Sequence, residues 1–303
     1  MSTQKKENVL FIVNPKSGKM AIKSKLFDII KLFSDSDYEC TVMMTKKTGD
    51  AVEYAKTYGR KFSRIISCGG DGTLNEIVTG LMEIPPEERA SLGLIPVGTT
   101  NDLADTLKIP KTPLGAAKTI IECDAHPNDV GLFNKNRYFN YVASCGAFTS
   151  TSYSTPQNRK NSLGHLAYLL EGIKSLNDIK PIYMRISAPN ISAEGDFVFA
   201  AITNALSVGG IYKFESKYVD LCDGMFEVIL IRMPKNPTDL VDIISNLAYL
   251  NYDENQVLFF HTPELKIECE QPIKWTVDGE FGGSLESVTV KNLPGAIKIF
   301  KPE

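Results

Sequence analysis

The sequence predicts an α/β protein of two domains: an N-terminal parallel-sheet α/β domain and a C-terminal, mainly antiparallel β-sandwich domain. Three observations predict it. The chain has 303 residues, a length that suits about two domains. Residues 1–128 alternate apolar strand runs with helical patterns, the rhythm of a parallel sheet with helices on both faces. After residue 128, strands follow one another with two helical interruptions, the texture of antiparallel β structure.

The elements follow in order. Val9-Leu10-Phe11-Ile12-Val13 is a continuous apolar run, as expected of a strand buried on both faces. Ile22, Leu26, Ile29, Ile30 and Phe33 recur at helical spacing. Residues 38–45 read as a second strand. Gly49-Asp50 then opens a helix to about Tyr58, with Asp50 as its N-cap. Ile65-Ile66-Ser67-Cys68 is a short third strand, and a helix starts near Leu74. Residues 92–97 form a fourth strand, and Thr112-Pro113 is the cap and first position of a helix to Ile121.

In the second half, strands are expected over 138–147, 182–187, 197–204, 226–232, 257–261, 265–269, 273–277 and 287–290, and helices over 163–176 and 238–250. The first domain is residues 1–128 plus a C-terminal piece, 294–303, whose strand 297–300 returns to it. The second is residues 129–293.

Composition removes several classes. Apolar residues at 43% and charged residues at 23% exclude a disordered, collagen-like or coiled-coil chain. A net charge of -3 argues against a general nucleic-acid coat and for no nucleic-acid partner. No apolar run reaches the roughly 20 residues that cross a bilayer, and residues 9–13 are too short for a signal-peptide core. The six cysteines are scattered with no Cys-x-x-Cys, which reads as reduced thiols in a cytoplasmic protein. The three histidines show no zinc-type spacing, which disfavours a zinc or His-based hydrolytic site.

Three turns carry the chemistry. Asn14-Pro15-Lys16-Ser17-Gly18-Lys19, Gly69-Gly70-Asp71-Gly72-Thr73-Leu74-Asn75-Glu76 and Gly98-Thr99-Thr100-Asn101-Asp102 each follow an apolar strand. In a parallel sheet all three lie at the carboxyl end of the strands, the edge where open α/β sheets bind ligands. Glycines let backbone N–H groups approach an anion, and a following helix adds its positive end. Ser17, Thr73, Thr99 and Thr100 add hydroxyl donors and Lys19 a cation. The first turn is not a Walker A sequence. Each turn alone could be an ordinary strand-to-helix connection, but three on one edge is a pattern. Asp71 has no packing purpose there, and a carboxylate among phosphate donors makes sense with a metal.

These blocks, in this order and spacing, resemble the catalytic domain of the diacylglycerol kinase family, and above all its soluble bacterial lipid kinases. The resemblance covers essentially the whole chain. It extends to Asp129-Val130-Gly131, to Asp220-Leu221-Cys222-Asp223-Gly224-Met225 and to Val277-Asp278-Gly279-Glu280. It implies transfer of the ATP γ-phosphoryl to a lipid hydroxyl with Mg²⁺, most simply diacylglycerol to phosphatidic acid. Carried over, Asn14 to Gly18, Gly69 to Asn75, Thr99 and Thr100 hold the nucleotide, with Thr45 a further contact. Asp71 acts through Mg²⁺, and Asp102 and Asp129 complete the acidic part of the site. Asp220, Asp223 and the carbonyl at Met225 match a second, structural Mg²⁺ site, the alternative being a solvated Asp-Gly turn.

The family places its general base in Asp278-Gly279-Glu280. The chemistry asks for one, because a lipid hydroxyl is a weak nucleophile. Glu280 is the first choice, with Asp278 supporting it or sharing the role. The alternative is that Asp278-Gly279 is simply a hairpin turn.

Two positions depart from the family. Asp105 stands where many members carry a basic residue, and Glu171 where a lysine can occur. Both remove positive charge near an anionic nucleotide or headgroup, and Arg159, Lys160 and Lys174 are candidates to compensate. A lipid substrate implies transient, peripheral contact with the inner membrane surface from the cytoplasmic side. The segment 150–164, with Arg159 and Lys160, is either a membrane-facing or a plain solvated loop. Family likeness also implies a homodimer. Two other functions compete: an NAD-kinase-like soluble kinase, which shares the Gly-Gly-Asp-Gly-Thr turn, and a non-catalytic nucleotide- or lipid-binding module.

Overall fold

The computed structural model describes residues 7–99, 101–146, 180–205, 220–236 and 255–302, with short pieces at 207–208, 212–213, 238–239 and 242–243 and at 253. The expected helix over 163–176, the segment 150–164 and most of the expected helix over 238–250 lie outside them. The chain divides into two compact units, Met1–Val130 with Pro294–Glu303, and Gly131–Leu293.

In the first unit, β1 (Glu7–Val13), β2 (Tyr38–Met44), β3 (Arg64–Gly69) and β4 (Ser91–Pro96) pair in the order β2-β1-β3-β4, each pair parallel. Residues 9–13 are wholly buried, the burial their unbroken apolar run demands. Because β2 and β3 lie on opposite sides of β1, the chain reverses its winding between β1 and β3. Such a switch point opens a crevice at the carboxyl ends of the strands.

The helices differ from expectation in their starts. Residues 22–33 are not one helix. A 3-10 turn over Gly18–Ser24 is followed by α1 (Leu26–Asp35). After α2 (Asp50–Tyr58), α3 (Asp71–Met82) begins at Asp71, three residues ahead of the Leu74 expected from apolar periodicity, because Leu74 N already donates to the Gly70 carbonyl. Asp50 is not the N-cap of α2. Gly49 takes that place with φ +90, and Asp50 Oδ2 turns back to accept the N–H groups of Lys46 (2.7 Å) and Lys47 (3.0 Å). These two bonds hold the exposed Asp50 carboxyl below its ordinary range. A short α4 (Asp102–Thr106), absent from the sequence expectation, precedes α5 (Pro113–Glu122). Thr112 Oγ1 does cap α5, accepting Gly115 N at 3.2 Å.

β5 (Ala125–Phe133) was not anticipated; it runs through the boundary between the units. The expected strand 138–147 is two strands, β6 (Arg137–Phe139) and β7 (Val142–Gly146), broken where Asn140 and Tyr141 give their N–H groups to Asp278 instead of to a neighbouring strand. β8 (Ile182–Ala188) pairs with β9 (Ile191–Thr203), which begins six residues earlier than expected; two short strands follow, β10 (Ser207–Val208) and β11 (Tyr212–Lys213). β12 (Phe226–Arg232) and β13 (Val257–Thr262) are as expected in kind. The expected strands 265–269 and 273–277 form one, β14 (Glu264–Val277), whose register shifts between Glu268 and Ile273. The last two merge into β15 (Glu280–Phe300).

In the second unit the order β13-β12-β9-β7-β14-β15 is antiparallel throughout. Its core gathers Phe133, Phe139, Phe197, Phe226 and Trp275. Phe139 stacks on Phe226 at 5.6 Å between centroids, and Phe133 meets Trp275 edge-on at 5.5 Å. Fully burying each aromatic contributes about 1.5–3 kcal/mol.

The end of β15 belongs to the first unit, where Ile299 pairs in parallel with Leu92. Arg64 fixes it there. Its guanidinium lies 4.5 Å from the Phe300 ring centroid and 4.7 Å from that of Tyr38. Arg89 also donates to the Ala296 carbonyl.

Candidate active site

In the first unit the three turns meet at the switch point. Asn14 ties the first to the second: its Nδ2 donates to Thr73 Oγ1 at 3.0 Å, while its Oδ1 accepts Lys16 N at 3.0 Å and rounds the turn. The second and third turns touch backbone to backbone. A Cβ on Gly98 would lie 2.4 Å from Gly70 Cα, so only glycine permits this approach. Gly18, at φ +51, sits where a Cβ would fall 1.5 Å from the Val97 carbonyl oxygen. The conformation and the contact each demand glycine.

Asn101, left-handed at φ 58, clamps the third turn: its Oδ1 accepts Gly98 N at 2.9 Å and its Nδ2 donates to Gly98 O at 3.1 Å. Sequence reasoning gave this residue no role. An Asn before an Asp at a strand-to-helix turn is the available signal, since Asn tolerates the left-handed region.

Asp71 is the carboxylate at the centre. Its Oδ2 accepts Asn101 N at 2.8 Å. Burial pushes its carboxyl up, against the opposing pull of the N–H groups of Asn101, Asp102, Asp71 itself and Leu103. A partly buried carboxylate held this way is primed for a cation that would relieve its charge. Ser67, Gly70, Asp71, Leu74, Pro96 and Asn101 line the cleft. Thr99 is exposed beside it, and Asp102 opens α4. Thr100 and the side chain of Lys19 lie outside the described residues.

Glu76, quoted in the motif but given no role, holds a neighbouring loop. Its Oε1 accepts Gly49 N at 3.0 Å and its Oε2 accepts Ala51 N at 3.2 Å, so a carboxylate from α3 caps α2. Thr45 opens that loop, its N–H bonded to the Val13 carbonyl at 2.9 Å beside Asn14. Asp129 is wholly buried on β5, its Oδ1 accepting Gly295 N at 2.7 Å. Asp105 pairs with Lys111 at 2.8 Å, so a cation stands next to the position where the sequence lacks one.

In the second unit, Asp278 and Gly279 are the two residues between β14 and β15. Both have positive φ, +47 and +78, the requirement of a type I′ hairpin. The hairpin reading of this segment is therefore realised, and it also carries carboxylates. Asp278 is buried. Its Oδ2 accepts Asn140 N (2.7 Å) and Asn140 Nδ2 (3.2 Å), and its Oδ1 accepts the N–H groups of Tyr141 and Val142 (both 3.1 Å). Glu280 projects from the far side of the turn and is 72% exposed, with Arg137 Nη2 3.6 Å from its Oε2. Nothing in the sequence signals Arg137, which is distant along the chain.

Asp220 and Asp223 shape the loop before β12. Each closes an Asx turn, Asp220 Oδ1 accepting Cys222 N (3.1 Å) and Asp223 Oδ1 accepting Met225 N (2.8 Å). Asn292 Nδ2 donates to the Met225 carbonyl at 3.0 Å and aims it. Among the described residues no three His, Cys, Asp or Glu side chains gather as a metal site. A cation here would draw on two carboxylates, the carbonyl and water, an all-oxygen set that fits Mg²⁺.

A glycine-lined anion cradle at a sheet switch point, with a buried carboxylate beside it, is the architecture of a phosphate-binding α/β protein. Residues 8–133 match the diacylglycerol kinase catalytic domain, and residues 144–301 match the YegS C-terminal NAD kinase beta sandwich-like domain. The chain is 34% identical over 295 residues to a diacylglycerol kinase of Bacillus subtilis (strain 168), covering 96% of this chain and 95% of the relative. It is 33% identical over 297 residues to a diacylglycerol kinase of Staphylococcus aureus (strain JH9), covering 96% and 91%. A crystal structure from Bacillus anthracis str. Sterne superposes with a TM-score of 0.80 at 26% identity, covering 99% of this chain and 97% of that one. This chain belongs to the diacylglycerol kinase family. It is a transferase of the kinases that phosphorylate a lipid alcohol, a chemistry that draws on ATP.

Proposed function

We propose that this protein transfers the γ-phosphoryl of ATP, with Mg²⁺, to the free hydroxyl of diacylglycerol, giving phosphatidic acid. The observation that carries this is Asp71, held by the Asn101 N–H beside a glycine-lined cradle in the first unit. The turns 14–18 and 69–75 cradle the phosphates, and the first N–H groups of α3 are the donors offered to the phosphate oxygens. Thr99, and by family likeness Thr100 and Lys19, add donors there, and Thr45 contacts the nucleotide. Mg²⁺ bound with the nucleotide would neutralise phosphate charge, and Asp71 would hold it with Asp102 and Asp129 in support.

Glu280 takes the proton of the lipid hydroxyl as its oxygen attacks the γ-phosphorus and the bond to the β–γ bridging oxygen breaks. Asp278, its oxygens engaged by four N–H donors, holds the turn that presents Glu280 and is a positioning residue. Asp220, Asp223 and the Met225 carbonyl bind a second Mg²⁺ that fixes their loop. The protein works from the cytoplasmic side, peripherally at the inner membrane surface, and a homodimer fits its family.

The test is transfer of labelled phosphate from ATP with Mg²⁺ to diacylglycerol in mixed micelles, with NAD in a parallel reaction. Label in phosphatidic acid supports the reading. Label on NAD alone would move the protein to the soluble kinases. ATP binding with no transfer to either would leave a binding module.

A further inference from the structure

We propose that Arg137 is a positioning residue for the proposed base, Glu280, acting on it through both ends of its guanidinium fork. The inference rests on the reading of Glu280 as proton acceptor and adds what holds that carboxylate in place. Glu280 needs holding, because its side chain is 72% exposed. A long carboxylate side chain left free samples many rotamers, and ordering it costs conformational entropy. A base that wanders meets the acceptor hydroxyl in a productive geometry only part of the time.

Arg137 restrains both the backbone and the side chain. Its Nη1 donates to the Phe281 carbonyl at 2.6 Å, which fixes the chain directly after Glu280, and its Nη2 lies 3.6 Å from Glu280 Oε2. The rigid planar fork lets one guanidinium do both. Its own mount is stiff. Arg137 pairs with Phe133 of β5, and two residues on, Phe139 is wholly buried and stacked on Phe226. The same stretch supplies the N–H groups of Asn140, Tyr141 and Val142 that Asp278 accepts. One short run of chain, residues 137–142, therefore grips the β14–β15 hairpin on both sides of Glu280, at Asp278 before it and at Phe281 after it.

Magnitudes separate this role from a stabilising one. An ion pair this exposed contributes little to folding, and the turn keeps the four bonds made by Asp278 when Arg137 is gone. Losing Arg137 should therefore cost turnover and spare the fold.

The experiment measures kcat, the KM for ATP with Mg²⁺, the KM for diacylglycerol in mixed micelles and the melting temperature of the full chain. The variants are Arg137→Gln, Arg137→Lys, Glu280→Gln and the double variant Arg137→Gln/Glu280→Gln. Lys135→Gln, which removes an exposed cation from the turn before β6, is the control for charge alone.

Arg137→Gln should lower kcat about tenfold, with both KM values and the melting temperature held. Arg137→Lys keeps the charge without the fork and should recover part of the loss, and Lys135→Gln should turn over as the wild type does. In the Glu280→Gln background, Arg137→Gln should change kcat by less than about twofold, because no base remains to place. Wild-type turnover in Arg137→Gln beside a disabled Glu280→Gln would overturn the inference and keep the base. So would a melting temperature well below wild type, an equal loss in Lys135→Gln, or a further fall of about tenfold in the double variant, since each puts the effect of Arg137 elsewhere than on Glu280. Near-normal turnover in Glu280→Gln alone would remove the base itself, and this role with it.

Discussion

Asp278 Oδ2 accepts both the backbone and the side-chain N–H of Asn140, at 2.7 and 3.2 Å, and that pairing bolts the β14–β15 hairpin to the break between β6 and β7. Two further N–H donors, from Tyr141 and Val142, fill the other oxygen. Asp278→Asn swaps an acceptor for an amide nitrogen facing donors. It should destabilise the protein by roughly 2–3 kcal/mol, the range for breaking a buried charged hydrogen-bond network. Urea unfolding reads this directly, and a midpoint equal to that of the wild type would remove Asp278 from its structural place.

Asp71 has the opposite balance. Burial raises its carboxyl above the ordinary value, so the folded state favours the protonated form. The stabilisation this gives is present below the unfolded-state value and lost as pH rises through the folded one. At pH 7 the fold therefore holds an unfavourable charge. Asp71→Asn should melt at or above the wild-type temperature at pH 7, with the gap closing as pH falls toward 4, while phosphotransfer is lost. A melting temperature well below wild type at pH 7 would contradict this.

Glu76 links the phosphate end of α3 to the Thr45 loop through Gly49 and Ala51. Glu76→Ala removes a helix cap, a loss of about 1 kcal/mol. If Thr45 in the loop it frees contacts the nucleotide as proposed, the KM for ATP should rise several-fold with a smaller change in kcat, and the KM for lipid should hold. Equal loss on both substrates would mean the residue only supports the fold.

The loop of Asp220 and Asp223 gives a metal prediction. In the wild type, Mg²⁺ should raise the melting temperature without nucleotide, since an ion bound only by the folded state stabilises it by mass action. Asp223→Ala should flatten that titration. Identical curves would argue against an ion there.

How legible this was in the sequence varies by element. The apolar run at residues 9–13 reads as β1 because a strand covered on both faces uses such residues in succession, and the following Asn-Pro keeps it short. The glycines at 18, 70 and 98 were visible as turn signals, but their necessity is a packing fact: backbones from three turns touch. Strand ends were misread where a side chain took the backbone's hydrogen bonds. Asp278 cuts the expected strand at Asn140 and Tyr141 from more than a hundred residues away, and no local pattern reports that. Asp50 does not cap α2 for the same reason: the carboxylate that accepts the N–H groups at its start comes from Glu76 on another helix. Arg137 beside Glu280 is a tertiary contact with no trace in spacing.

The central claim, that Glu280 is the proton acceptor for a lipid hydroxyl, is tested most directly by the kcat of Glu280→Gln for diacylglycerol at saturating ATP and Mg²⁺. Gln keeps the size and exposure of the side chain and removes its basicity. Loss of a general base predicts a fall of about two orders of magnitude or more with an unchanged melting temperature. Near-normal turnover in Glu280→Gln would contradict the account and send the search for the base to another carboxylate.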